Sequence, residues 1–308
     1  MKNVKKILFF ADGAKGEAAA LAQCFELAQH NKGSVTVMAV VANVGTNDKR
    51  QQVYLDNIQR ALVEERSKAI EQMLGKLKSN STGVKVNIEV IPGKDYIELI
   101  KAVIKKKYDV LVKAPHHKGI IAGALFGNAE LNLMRKCPCP VWIIKPSRKK
   151  RIRKILAAVD LAENSGKSKN LSEEIVDLAV GVAEREGARV DVVFAWQHPF
   201  ESSVKTQIES AQYSNIVTAV KESAREKLDK LVALHPDADV SCHLINGHPE
   251  RALLNYLEKN DVDLLVMGTL SRSGVPGLLI GNTAEVILNS VNCSVITMKP
   301  EGFESPVR

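Results

Sequence analysis

A glycine-rich loop followed by a helix start is the clearest candidate for ligand chemistry in this sequence. Gly268 follows an apolar run, Ser271 lies three residues later, and after nine more residues come Gly281, Asn282 and Thr283. Glycines let backbone amides approach an anion without interference from a Cβ atom, and a helix N-terminus adds unpaired N–H groups. Asn282 and Thr283 could add side-chain donors. The pattern favours a phosphate site; the alternative is a capped helix after a surface turn.

A less complete copy of this layout occurs earlier in the chain. Residues 114–117, Ala-Pro-His-His, are followed by nine residues and then by Gly127 and Asn128. The Cβ atom of Ala114 would crowd a phosphate at the position where the later loop has Gly268. The sequence therefore predicts ligand binding chiefly at the later loop, with Gly127 and Asn128 as weaker candidates.

Two aspartates end apolar runs that fit buried parallel strands. Asp12 follows the run at residues 7–11, and Asp160 follows the matching run at residues 155–159. Ligands of open parallel sheets bind beyond the carboxyl ends of the strands, where the strand order reverses. We therefore expect each aspartate to lie at the same edge of its sheet as the loop of its own half.

Apolar strands alternate with amphipathic helices along the whole chain, and each half contains five such strands with four helices between them. Residues 84–146 align with residues 238–300 at a constant offset without a gap, which indicates an internal duplication. This alternation predicts an α/β fold in which each half is a five-stranded parallel sheet with helices on both faces. We predict domains at residues 1–147 and 151–308, packed together as an intrachain pseudo-dimer.

Composition narrows the class of protein. The 308 residues are 45% hydrophobic and 25% charged, with a net charge of +8. No apolar stretch approaches the ~20 residues of a membrane span. The basic residues are spread along helices except for one cluster between Lys145 and Lys154, which a charged linker explains, so neither a membrane nor a nucleic acid partner is indicated. The first apolar run ends at Asp12, too soon for a signal peptide. The odd number of cysteines suits reduced thiols, and we predict a cytoplasmic protein.

These motifs together resemble the universal stress protein family, in its tandem-domain form and most like its E-type subgroup. The nucleotide motif of that family is Gly-x-x-Gly, nine residues, then Gly-(Ser/Thr), and it is matched here at Gly268 and Gly281. Further matches are Asp160 at the end of a first strand, the turn at residues 247–249, Gly-His-Pro, and a last strand that ends in Lys299-Pro300.

The resemblance implies two Rossmann-like domains of the adenine nucleotide alpha hydrolase-like kind. It implies ATP or another nucleotide as ligand, with adenine near the first two strands, phosphates on the glycine loop, and magnesium only with the nucleotide. It also implies a role in surviving stress, including DNA damage. The expected ligand contacts in the second domain are Asp160, Ala195, Gly247, Gly268, Ser271, Gly281, Asn282 and Thr283, and those in the first are Asp12, Gly127 and Asn128.

Two departures from the family pattern keep other functions open. Ser271 stands where the second motif glycine belongs, and Asn282 stands where the serine or threonine belongs. The chain has no Walker loop, no Gly-x-Ser-x-Gly and no His-Glu-x-x-His, so we do not expect an enzyme. The alternatives are a slow ATP or nucleotide hydrolase that uses Asp160 and a bound metal, and a ligand-free scaffold acting through protein partners. A homodimer is also open.

Two smaller clusters have simpler interpretations. His116 and His117, in the earlier loop, could hold an anion or contribute to a metal site, although adjacent loop histidines are commonly solvated surface residues. Cys137-Pro138-Cys139 is spaced too closely for a zinc knuckle, and we interpret it as core packing.

Overall fold

The computed structural model describes residues 4–45, 49–115, 126–146, 151–161, 166–197, 210–269 and 281–307, with the side chains of residues 49–50, 166–170 and 210–211 left out. Strands and helices alternate through these ranges in both halves of the chain.

The first half comprises β1 (Lys6–Phe10), α1 (Glu17–Asn31), β2 (Ser34–Val41), α2 (Lys49–Lys76), β3 (Lys85–Pro92), α3 (Asp95–Lys106), β4 (Val110–Lys113), α4 (Asn128–Lys136) and β5 (Val141–Ile143). The second half comprises β6 (Lys154–Val159), α5 (Gly166–Glu186), β7 (Arg189–Trp196), α6 (Ser210–Val232), β8 (Val240–Asn246), α7 (Pro249–Lys259), β9 (Leu264–Gly268), α8 (Asn282–Ser290) and β10 (Ser294–Met298).

The strands of the described ranges form one sheet in the order β3-β2-β1-β4-β5-β10-β9-β6-β7-β8. Each half is parallel, and the halves meet where β5 pairs antiparallel with β10. Trp142 lies opposite Ile296 in that pair, and the constant offset makes these two residues equivalent. Equivalent strands paired this way are related by an approximate two-fold axis, so the chain is an intrachain pseudo-dimer. The predicted fold class is confirmed, while the domain bounds 1–147 and 151–308 stay a prediction.

Apolar side chains on both faces of the strands build two hydrophobic layers. On one face Phe9 packs in the same cluster as Phe25 of α1, and on the other Phe10 packs with Leu99 of α3. Burial on both faces is why these strands are continuously apolar in sequence. Each fully buried side chain of this size contributes about 1.5–3 kcal/mol, so the two layers stabilise the sheet.

Two equivalent lysines reach across the seam between the halves. Lys145 donates a hydrogen bond from Nζ to the carbonyl oxygen of Asn292 at 2.7 Å. Lys299 is buried and donates to the carbonyl oxygen of Met134 and to Oγ1 of Thr269. Burial lowers the pKa of Lys299 to about 8. The lysine that follows the last strand of each domain therefore makes a hydrogen bond to the other domain.

A polar network lies between β6, β7, β8 and α7, away from the glycine loop. Asp191 of β7 is buried, and its Oδ2 accepts a hydrogen bond from the hydroxyl of Tyr256 at 2.7 Å. Lys154 Nζ lies 2.9 Å from the same oxygen, and His243 Nε2 lies 3.4 Å from Oδ1. Burial acts to raise the pKa of Asp191, but the bonds from Tyr256 and Lys154 outweigh it and hold this pKa below its usual value.

Asp191 is expected to make the stability of the protein fall at acid pH. Because its pKa is lower in the folded chain, its contribution is present above the unfolded pKa of about 3.9 and is lost as pH falls through the folded pKa. Asp191→Asn should be less stable than wild type at pH 7 and should lose less stability between pH 5 and pH 3. Urea unfolding midpoints over that range measure both, and parallel curves for the two proteins would contradict the assignment.

Candidate functional site

The candidate site of the second domain lies where the strand order reverses, between β6 and β9. These two strands are adjacent and parallel, with Ala158 opposite Met267. Asp160 directly follows β6, and Gly268 is the last residue of β9, so both lie at the carboxyl ends of the strands. This is the crevice in which open α/β sheets bind ligands.

The backbone of Asp160 is fixed against helix α5. The buried hydroxyl of Ser172 accepts a hydrogen bond from the amide of Asp160 at 3.3 Å and donates one to its carbonyl oxygen at 2.9 Å. Asp160 itself is half-buried. A carboxylate held at the mouth of the crevice can accept hydrogen bonds from hydroxyl or amino groups of a ligand.

Helix α8 begins beside this crevice. Gly281 is its N-cap residue in extended conformation without a side-chain cap, and the amide of Gly281 donates to the carbonyl oxygen of Thr269 at 3.2 Å. Asn282, exposed, and Thr283, half-buried, are the first two residues of this nine-residue helix. The positive end of the helix dipole therefore lies at the position where the sequence predicted a phosphate.

A carboxylate absent from the sequence-based site lies next to this helix end. Oγ1 of Thr283 donates to Oε1 of Glu250, the second residue of α7, at 3.4 Å. Nδ1 of His248 lies 3.8 Å from Oε2 of the same carboxylate. A carboxylate repels a bare phosphate, whereas magnesium binds readily between a carboxylate and phosphate oxygens. The arrangement therefore suits a phosphate that arrives with a divalent cation.

The other predicted contacts of the second domain have structural roles that are visible directly. Gly247 has φ 134°, in a region that favours glycine, and its amide donates to the carbonyl oxygen of Trp196 at 2.9 Å. A Cβ atom on Gly268 would lie 2.8 Å from Cδ2 of Leu171, so this glycine allows α5 to pack against β9. Ala195 is half-buried near the end of β7, beside the crevice. Neither glycine requires a ligand to explain it.

Three of the sequence-based candidates cannot be placed. Ser271 falls within residues 270–280, and His116 and His117 fall within residues 116–125, both outside the described residues.

In the first-domain crevice, the ammonium group of a buried lysine lies where an anion would otherwise bind. Lys113, the last residue of β4, is fully buried, and its Nζ lies 2.8 Å from Oδ2 of Asp12 and 2.6 Å from Oε1 of Glu130. The other oxygen of Glu130 accepts a hydrogen bond from the amide of Gly127 at 3.0 Å, and Asn128 follows as the first residue of α4. The predicted contacts Asp12 and Gly127 are thus brought together, but they serve this network.

More acidic groups surround the network. Oε1 of Glu17 accepts hydrogen bonds from the amides of Gly13 and Ala14 and lies 3.6 Å from Arg66. Burial raises the pKa of Glu17, although the bond from Gly13 and the charge of Arg66 oppose the shift. Burial raises the pKa of Asp95, the first residue of α3, and the negative charge of Asp12 raises it further. Phosphate binding is therefore disfavoured here by like charge.

The crevices of the two domains differ at the positions that matter most for binding an anion. By the constant offset, Met267 occupies the position of Lys113, and Ala284 occupies the position of Glu130. The sequence reasoning missed this pair of substitutions. A lysine that ends an otherwise apolar strand, and a glutamate three residues after a helix N-cap, were the signals that could have revealed it.

A profile of the universal stress protein family matches residues 3–145 and again residues 151–299 of this chain. The two matches cover nearly the whole sequence, so the chain belongs to the universal stress protein family and contains two of its domains. The resemblance predicted from the sequence is confirmed.

Among individual relatives, the chain is similar to universal stress protein E. It is 25% identical to that protein of Escherichia coli K12 over 231 residues, which are 74% of this chain and 72% of the relative. It is 22% identical to the universal stress protein E homolog of Haemophilus influenzae over 305 residues, covering 96% and 97% of the two chains.

Solved structures agree on the fold. A functionally unknown protein from Pseudomonas aeruginosa PAO1 superposes with a TM-score of 0.75 at 22% identity, covering 98% of this chain and 94% of the other. A universal stress protein from Archaeoglobus fulgidus gives 0.67 at 16% identity, covering 96% and 99%. In the described residues, no helix is both long enough and apolar enough to cross a membrane.

Proposed function

We propose that this protein binds a nucleotide or another phosphate-containing ligand in the crevice of its second domain, as part of a stress response in the cytoplasm that includes the response to DNA damage. The ligand is ATP or a related nucleotide, and magnesium accompanies it. The five free cysteines fit a reducing compartment.

The difference between the two crevices is the observation that carries this proposal. In the first domain Lys113 satisfies Asp12 and Glu130 internally, and the surrounding carboxylates repel an anion. In the second domain apolar Met267 and Ala284 stand at the corresponding positions, next to the start of α8. A helix N-terminus at a topological switch point is a favourable place for a phosphate.

Residues around the second crevice supply the parts that a nucleotide needs. Asp160, with Ala195 nearby, would meet the ribose and adenine side. Gly281, Asn282 and Thr283 would meet phosphates, together with Gly268 and Ser271 of the loop. Glu250 supports the proposal that magnesium accompanies the nucleotide, because its carboxylate lies beside Thr283 and would coordinate a cation that also contacts the phosphates.

Titration calorimetry with ATP, AMP and a UDP-sugar, each with and without magnesium, tests this function. We expect one nucleotide per chain, tighter binding with magnesium, and a higher melting temperature in its presence. Gly281→Val should abolish the binding because its side chain would fill the phosphate position. Absence of heat and of thermal protection with every compound would contradict the proposal and favour the ligand-free scaffold.

The same samples distinguish a binding protein from a slow hydrolase. Phosphate release is followed over hours with ATP and magnesium, in wild type and in Asp160→Asn. Binding without release supports a binding protein. Release that is lost in Asp160→Asn, while ATP binding is kept, would replace the proposal with the hydrolase.

A further inference from the structure

Two cysteines face each other on the turn between α4 and β5. Cys137 caps α4, Pro138 follows, and Sγ of Cys137 lies 3.6 Å from Sγ of Cys139. Cys137 is buried, with 1% of its surface exposed, while Cys139 is half-buried. Cys139 lines a cavity of about 750 Å³ between the end of α3 and residues 303–307. Cys139 is therefore the member of the pair next to the cavity, and Cys137 lies directly behind it.

The turn is held at both ends, which keeps the sulfur atoms together. The amide of Cys137 donates to the carbonyl oxygen of Leu133 at 2.9 Å, and the carbonyl oxygen of Pro140 accepts from the amide of Leu111 at 3.0 Å. A disulfide needs the sulfurs about 2.05 Å apart, so oxidation has to bring them closer than the 3.6 Å of the reduced pair. In the part of the chain that the structure describes, no group of three metal-binding side chains is present. Oxidation is therefore the chemistry that this pair offers.

We propose that Cys137 and Cys139 form a reversible disulfide with each other when the protein meets a hydroperoxide. The Cys139 thiolate attacks the peroxide, taking one oxygen to become a sulfenic acid, and the other oxygen leaves as water or an alcohol after protonation. The Cys137 sulfur then attacks Sγ of Cys139, forming the S–S bond as the S–O bond of the sulfenic acid breaks, and the hydroxide takes up the Cys137 proton and leaves as water. The sulfurs lose two electrons in total, and the peroxide is the oxidant.

The thiols react slowly until the peroxide concentration is high. The hydrogen bond between the two thiols, followed by burial, raises the pKa of Cys139 well above its usual value. Since the thiolate is the nucleophile, little of it is present at neutral pH. Low peroxide levels therefore leave the pair reduced.

The position of the pair gives the oxidation a consequence for the domain seam. Cys137 comes directly after α4, whose Met134 carbonyl accepts hydrogen bonds from Lys299 and Thr269 of the second domain. Cys139 comes shortly before β5, the strand that pairs with β10. A bond across this turn fixes both of these seam elements relative to each other.

The second repeat supplies a natural control. Cys293 occupies the position of Cys139, but Val291 occupies the position of Cys137, so Cys293 has no cysteine two residues before it. Both repeats thus carry the cysteine before the last strand, and only the first can make the local disulfide.

Peptide mass spectrometry tests the inference. Reduced protein is treated with hydrogen peroxide, denatured in N-ethylmaleimide and digested with trypsin, which places both cysteines in peptide 137–148. We expect this peptide to lose both labels and to become lighter by two hydrogens, while the peptide with Cys293 keeps its label. Dithiothreitol added before labelling should restore both labels.

A matched variant makes the outcome decisive. Cys137→Val copies the second repeat, and in it Cys139 should reach sulfenic and sulfinic acid without a disulfide. Once Cys139 has been oxidised to the sulfenic acid, its conversion to the disulfide should also be at least about tenfold faster in folded protein than in urea-unfolded protein, because the fold positions the sulfurs. The proposal would be overturned if wild-type peptide 137–148 kept both labels under peroxide conditions that oxidise Cys139 in the Cys137→Val variant. Equal rates of disulfide formation from the sulfenic acid in folded and unfolded protein would also overturn it.

Discussion

Replacing Lys113 with methionine is expected to lower the free energy of unfolding by about 3–5 kcal/mol, the usual loss when one partner of a buried ion pair is removed. The substitution leaves Glu130, with only 2% of its side chain exposed, without the ammonium 2.6 Å away. It also removes the partner of Asp12 across the first crevice. Urea unfolding followed by circular dichroism measures the loss.

The second repeat suggests the control for this prediction. Lys113→Met with Glu130→Ala reproduces the pair Met267 and Ala284, and it removes the buried carboxylate that the single change leaves uncompensated. The double variant is therefore expected to be more stable than Lys113→Met alone. The ion pair would not be coupled if the free energy of unfolding of Lys113→Met lay within about 0.5 kcal/mol of that of wild type. The same would follow if the double variant lost the sum of the two losses measured for the single variants.

Trp142→Ala is expected to cost about 3–5 kcal/mol because it leaves a cavity at the seam. Trp142 is fully buried in β5, opposite Ile296 of β10, and the guanidinium of Arg185 lies 5.7 Å from its ring. Both of those neighbours belong to the second domain. The loss should therefore reach the whole molecule and not the first domain alone.

The fluorescence of the other tryptophan reports this coupling. The chain has two tryptophans, so in Trp142→Ala the remaining signal is that of Trp196 at the end of β7. We expect its unfolding midpoint to shift to lower urea together with the circular dichroism signal. Trp142→Phe, which fills most of the space, should shift both far less. An unchanged Trp196 midpoint in Trp142→Ala would mean that the domains unfold independently.

The parts of this structure that repeat along the sequence could be predicted, because hydrophobic period and duplication are local signals. The carboxyl-end positions of Asp160 and Gly268 follow from strand runs alone, and the structure places both at the switch point. The start of helix α2 is harder to predict from the sequence. The helix begins at Lys49, four residues before the first apolar position, because a polar first turn carries no periodic signal.

The charge networks could not be predicted, because their partners are distant in sequence. Lys113 meets Asp12 across 101 residues, and Thr283 meets Glu250 across 33. The position of Lys113 at the end of an apolar strand marks it as unusual, but nothing in the sequence identifies the residues that it contacts. The predicted ligand contacts therefore stay a prediction, and the structure was needed to show that the first crevice contains its own lysine.

A matched pair of aspartate variants tests most directly the claim that only the second crevice binds phosphate. Asn282→Asp puts a carboxylate on the first residue of α8, and Asn128→Asp makes the same change on α4. Acidic groups favour a helix N-terminus, so both variants should stay folded. Calorimetric titration with ATP in the absence of magnesium should give at least about tenfold weaker binding for Asn282→Asp, from charge repulsion, and wild-type affinity for Asn128→Asp. Unchanged affinity in Asn282→Asp, or an equal loss in both variants, would contradict the account.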